Sequence, residues 1–93
     1  MIAYVLAQGD ALRPGVADKI VGDLTDAIYR GLPATSLKAL LESESTQART
    51  IGIRVAFMCG PYVRSILEDI RALTGDDNPE IRKCASETIR QLA

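Results

Sequence analysis

Three observations in the 93-residue sequence predict an all-α fold, a right-handed α-solenoid of about three helix pairs with the first pair truncated. One segment recurs three times, at offsets of 32 and 33 residues. Within each copy the apolar residues fall at helical spacing. Gly and Pro cluster between these stretches, and no alternating strand pattern is present. A lone helix pair leaves an apolar face uncovered, so stacked copies sharing one core follow from the repetition.

Taken in order, the copies span roughly 1–32, 33–60 and 61–93 of a single domain. The first opens with a shortened helix over 2–8, a loop GDALRPG, and a helix over 14–30 starting at Pro14. The second holds helices over 35–43, with Thr35 or Ser36 as N-cap, and 46–59, with Ser45 as N-cap. The third holds helices over 62–74 and 79–92. In this last helix Asn78 suits the cap, Pro79 the first position, and Glu80 the positive end of the helix dipole. Gly9, Gly15, Gly31 with Pro33, Gly60 with Pro61, and Gly75 separate these elements.

The last two copies align without a gap. Ala48, Arg49, Gly52, Ala56 and Cys59 pair with Ile81, Arg82, Ala85, Ile89 and Leu92. In the preceding helices Leu37, Ala39 and Leu40 pair with Ile70, Ala72 and Leu73. In the first copy Pro14, Val16, Ile20, Leu24 and Ala27 pair with Pro79, Ile81, Ala85, Ile89 and Leu92. The third copy, with Asp77, Pro79, Ile81–Arg82 and Ala85, resembles a HEAT repeat in its short bacterial form. The second, with Glu44, Ala48–Arg49 and Gly52, follows the pattern less fully. The first keeps Pro14 and Val16 but has Ala17 where the Arg stands. The resemblance implies a structural ladder along the stack, formed by Arg49 and Arg82 with acidic groups such as Asp77. It also implies protein binding on the face of the second helices.

That face follows from 100° per residue. With Ala48 at zero, Ile51, Gly52, Val55, Ala56 and Cys59 fall within about 80° and form the buried arc. Ile53, Arg54 and Phe57 fall on the far side. The corresponding positions are Val21, Gly22 and Thr25 in the first copy, and Ser86, Glu87 and Arg90 in the third. Ile53 and Phe57 belong either to a wide buried arc or to an apolar anchor rimmed by Arg54, Thr25 and Arg90. Candidate partner-binding residues are therefore Val21, Thr25, Ile53, Arg54, Phe57, Ser86 and Arg90. In this alignment Lys19 and Asp23 replace the apolar Ile51 and Val55, which suits a terminal repeat with one face in water.

Composition narrows the function. The 11 basic and 12 acidic residues nearly balance, and neither half carries the basic excess of a nucleic-acid binder. Without His, the usual general base and triad partner are missing. No Gly-rich phosphate loop is present. Cys59 and Cys84 lack zinc-site spacing and fit two thiols in a reducing compartment. The apolar start MIAYVLAQGD is too short to span a membrane and has no basic residue before it. The expectation is a cytoplasmic, non-catalytic module without cofactor or metal, binding another protein. The alternative is an immunity-type antagonist of a bacterial toxin or enzyme, since the chain is similar to small bacterial HEAT-like proteins. Self-association through the ends of so short a stack is a further possibility.

Overall fold

Ser45 and Asn78 begin two helices as their side chains dictate. Ser45 Oγ accepts from the N–H of Ala48 at 3.2 Å, and Asn78 Oδ1 accepts from Glu80 and Ile81 at 2.9 and 3.2 Å. The computed structural model describes residues 1–92, which form helices joined by short connections. The α-helices are α1 (Ile2–Gln8), α2 (Pro14–Tyr29), α3 (Lys38–Leu41), α4 (Thr46–Cys59), α5 (Leu67–Ala72) and α6 (Pro79–Leu92). Gly9 and Gly60 close α1 and α4 at φ 54° and 56°, a region that disfavours other residues.

The first helices of the second and third copies are less regular than their sequence suggests. The expected helix over 35–43 is a 3₁₀ turn, Ala34–Leu37, running into the single turn of α3. Neither Thr35 nor Ser36 caps it. The expected helix over 62–74 is a 3₁₀ stretch Gly60–Ile66, then α5, then a 3₁₀ turn Leu73–Gly75. The apolar spacing explains the first. Ala34 with Leu37 is a buried pair three residues apart. A 3₁₀ turn aligns such a pair on one side. The Gly60–Ile66 stretch is instead kinked at Val63, whose backbone is non-helical at φ −106° and ψ 16°.

Helices α2, α4 and α6 lie side by side, with α4 in the middle. The shorter helices form the other side, α3 on α4 and α5 on α6, with α1 and α5 flanking α3. The molecule measures 34 × 32 × 19 Å, and its thin dimension holds two helix layers of about 10 Å each. Leu37, Leu40, Ile51, Val55, Ile66, Ile70 and Ile81 fill the space between them. Thr88 and Thr25 are the buried polar residues among those described, and the Thr88 hydroxyl donates to the Cys84 carbonyl at 2.7 Å.

Burial shows that α2 is rotated from the alignment expected through Pro14. Ala17, Ile20, Val21, Leu24, Thr25 and Ile28 are buried. They fall 31 residues before Ala48, Ile51, Gly52, Val55, Ala56 and Cys59, the buried stripe of α4. Val16, expected inside, is 38% exposed. Lys19 and Asp23, aligned with the core positions Ile51 and Val55 and expected to face water at a terminal repeat, lie on the surface and pair with each other at 3.3 Å. Those core positions are taken by Ile20 and Leu24. The Pro sets where a helix begins, and the apolar stripe sets which way it faces. In α2 the two differ by one residue.

Gly52 marks the closest approach between the layers. A Cβ built there would lie 2.9 Å from Leu41 Cδ2 and 3.0 Å from Leu40 Cβ. Gly52→Val should therefore destabilise the chain by about 2 kcal/mol or more through overpacking. Urea denaturation checks this, since the midpoint should fall with little change in slope.

Arg49 and Arg82 bind the turns between helices. Arg49 Nη1 donates to the carbonyls of Ser43 and Glu44 at 3.0 and 2.9 Å. Arg82 Nη1 donates to those of Asp76 and Asp77, 33 residues on, at 2.7 and 3.1 Å. Arg49 also reaches into the following copy, with Nε on Asp76 Oδ1 at 2.8 Å and Nη2 on Oδ2 at 3.4 Å. The carboxylate in this ladder is that of Asp76, where the sequence suggested Asp77. Asp76 also accepts from the N–H of Asn78 at 2.9 Å, which fixes it beside the α6 cap, while Asp77 contributes its carbonyl. Between the first two copies the link is Asp10. Its Oδ1 accepts from Gln47 N–H and Ser45 Oγ, both at 2.9 Å. The Gln47 N–H, followed by the Ser45 hydroxyl, lowers the Asp10 pKa.

Candidate functional site

The second helices meet in a groove of about 550 Å³, between α2 and α4, with Cys84 of α6 at its edge. Helical spacing brings Asp18, Val21, Gly22, Thr25, Asp26 and Tyr29 of α2 to one wall. Arg54, Phe57 and Met58 of α4 form the other. Val21 and Thr25 lie deep, and the Thr25 hydroxyl donates to the Val21 carbonyl at 2.7 Å, which leaves the floor mainly apolar.

One end of the groove is charged and the other aromatic. Arg54 Nη1 bridges to Asp18 Oδ1 at 2.8 Å. Both partners are well exposed, so the pair orders the rim more than it adds stability. Towards the other end, the Tyr29 hydroxyl donates to the Met58 carbonyl at 2.8 Å. The Tyr29 ring meets Tyr62 edge-on, with centroids 5.0 Å apart. Met58 is 56% exposed. The result is an apolar trough with one ion pair across it and an edge-on aromatic pair towards one end.

The cysteines are free. Burial pushes both thiols up, opposed by a hydrogen bond with Thr25 at Cys59 and with Thr88 at Cys84. Both are thus protonated at neutral pH. Among the described residues, no three His, Cys, Asp or Glu side chains converge as a metal-ligand set. Among them, too, no helix is long and apolar enough to cross a membrane.

The structure brings together Val21, Thr25, Arg54 and Phe57 of the residues proposed from sequence. Ile53 is a correction. It is 1% exposed, because α4 is covered by α2 on one side and α6 on the other. Its carbonyl lies 3.8 Å from the Cys84 thiol. Val21 and Thr25, expected on an outward face, are themselves almost buried because α2 is rotated. Ser86 and Arg90 are exposed on α6, outside the groove. Tyr29 and Met58 line it without having been singled out from sequence. Asp18 and Asp26, which with Asp10 and Asp23 make the first copy acidic in sequence, also line it, and Cys84, read from sequence only as a thiol, lies at its edge. At 100° per residue Met58 falls at about −80° from Ala48, the border of the buried arc, so the helical wheel alone leaves its side undecided. A smaller recess of about 250 Å³ lies at the N-terminal end, among Tyr4, Leu12, Arg13 and Val16.

No family model, curated protein or solved structure matches this chain.

Proposed function

We propose that this chain is a non-catalytic protein–protein interaction module, a right-handed α-solenoid of about three HEAT-like helix pairs, that takes its partner on the face of its second helices. The observation that carries this is the groove between α2 and α4, in which apolar and aromatic side chains lie beside one ordered ion pair. Protein hot spots have this composition, with a large apolar anchor beside an Arg and a polar rim. The side-by-side order of α2, α4 and α6 and the repeated Arg contacts support the solenoid arrangement. A neutral, His-free chain of this kind fits a bacterial cytoplasmic binder that uses no metal or cofactor.

The test is affinity capture from lysate, followed by calorimetric titration of the purified captured protein. Met58→Asp places a charge on the exposed wall of the groove without touching the core. It should retain wild-type helicity and melting while weakening binding at least tenfold. A captured protein that binds Met58→Asp and Arg54→Asp as well as it binds wild type would place the interface elsewhere. Failure to capture any protein would count against a binding module.

A further inference from the structure

The groove exists because one side chain is missing. In the register set by burial, Gly22 of α2 occupies the place that Ile53 occupies in α4. Ile53 is buried where α4 meets α6, while Gly22 leaves the corresponding seam between α2 and α4 open. Nothing in the fold requires a glycine here. A Cβ at Gly22 would meet no atom within 4 Å, whereas one at Gly52 would clash. A glycine inside a 16-residue helix weakens that helix relative to alanine. What it provides in return is space along the α2 wall of the groove.

Two carboxylates and one guanidinium line this opening. Asp18 and Asp26 stand on the α2 wall. The basic lining residue is Arg54, already held by Asp18. Asp26 is paired only with Arg30, on its own helix, and both are largely in water. From Asp18 to Tyr29 the wall runs about 16 Å, or three helical turns. Among the described residues there is no strand edge on which an extended peptide could pair.

We propose that this groove receives a basic amphipathic helix of another protein, with a large apolar side chain seated over Gly22 and a Lys or Arg beside Asp26. This rests on the protein-binding role proposed above and specifies its partner. The apolar anchors of such a helix, spaced i, i+4 and i+7, would lie against Val21, Phe57 and Met58, as in other helix-in-groove complexes.

The experiment is selection of phage-displayed random 16-residue peptides on the whole chain. Enriched peptides are then titrated against wild type, Gly22→Ala, Gly22→Leu, Asp26→Lys and Ser86→Leu. The expected binders combine Lys or Arg with Leu, Phe or Met at helical spacing. Gly22→Leu should weaken them at least tenfold, Asp26→Lys should also weaken them, and Ser86→Leu should leave them unchanged. Gly22→Ala should meanwhile raise Tm by a few degrees, because it strengthens α2. Binders that are acidic, or that bind Gly22→Leu as tightly as wild type, would overturn the proposal. If those binders still compete with the captured protein, the binding module stands and only this occupant falls. Enrichment of no peptide at all would also overturn it, and absence of any captured protein in the lysate test would remove the underlying role as well.

Discussion

Ile53→Asp should abolish the cooperative unfolding transition of this chain. Ile53 is 1% exposed and packed where α4 meets α6, so the new carboxylate would be buried without a counter-ion. Such a group costs several kcal/mol even after relaxation. A domain of this size has a total stability of about 5–10 kcal/mol, so little of the folded state would remain. Ile53→Val removes one methyl group and should cost only about 1 kcal/mol. Thermal melts by circular dichroism separate the outcomes. The Asp variant should show no sigmoidal transition, and the Val variant a modestly lowered one. A melt of Ile53→Asp close to wild type would mean that Ile53 is a surface anchor after all.

Arg49→Ala should be the most destabilising replacement of a charged residue. The Arg49 side chain is 15% exposed and that of Asp76 7%. Its loss removes the bonds to Asp76, Ser43 and Glu44 and leaves the Asp76 carboxylate with the Asn78 N–H alone. The expected cost is about 3 kcal/mol, in the range for breaking a largely buried pair. Arg49→Lys should recover little, because a single ammonium cannot fork between a carboxylate and two carbonyls. Arg82→Ala should cost about 1 kcal/mol, since Arg82 is exposed and bonds only to turn carbonyls. Urea midpoints of the three variants test this order. Equal small losses at Arg49 and Arg82 would show that the link to the next copy contributes nothing measurable.

These two sites also show what the sequence makes legible. The bounds of α4 and α6 follow from Ser45, Asn78 and Pro79, because capping is local chemistry that a few residues determine. The facing of α2 does not follow from its Pro. Only the burial of Ala17, Val21 and Ile28 shows the rotation, and burial depends on neighbours far along the chain. The same limit applies to Ile53. A helical wheel puts it opposite Ala48, and only the presence of both α2 and α6 beside α4 makes that side interior. At the ladder, Asp76 and Asp77 are indistinguishable by type. The choice between them is made by the turn, in which Asp76 accepts from Asn78 and so faces Arg49. Arg54 and Phe57 were legible as groove residues because they sit on the far side of α4 from Ala48. Tyr29 lies at the end of α2, where periodicity gives no direction, and its hydrogen bond to Met58 spans 29 residues of sequence.

The proposed partner binds in the groove at Gly22. Nitrogen-15 chemical-shift mapping of the labelled chain, titrated with the captured protein or a selected peptide, tests it most directly. The largest shifts should fall at Gly22, Thr25, Phe57, Met58 and Cys84, with Ser86 and Arg90 little changed. Shifts concentrated on Ser86 and Arg90, or around Tyr4 and Val16 at the N-terminal recess, would contradict this placement.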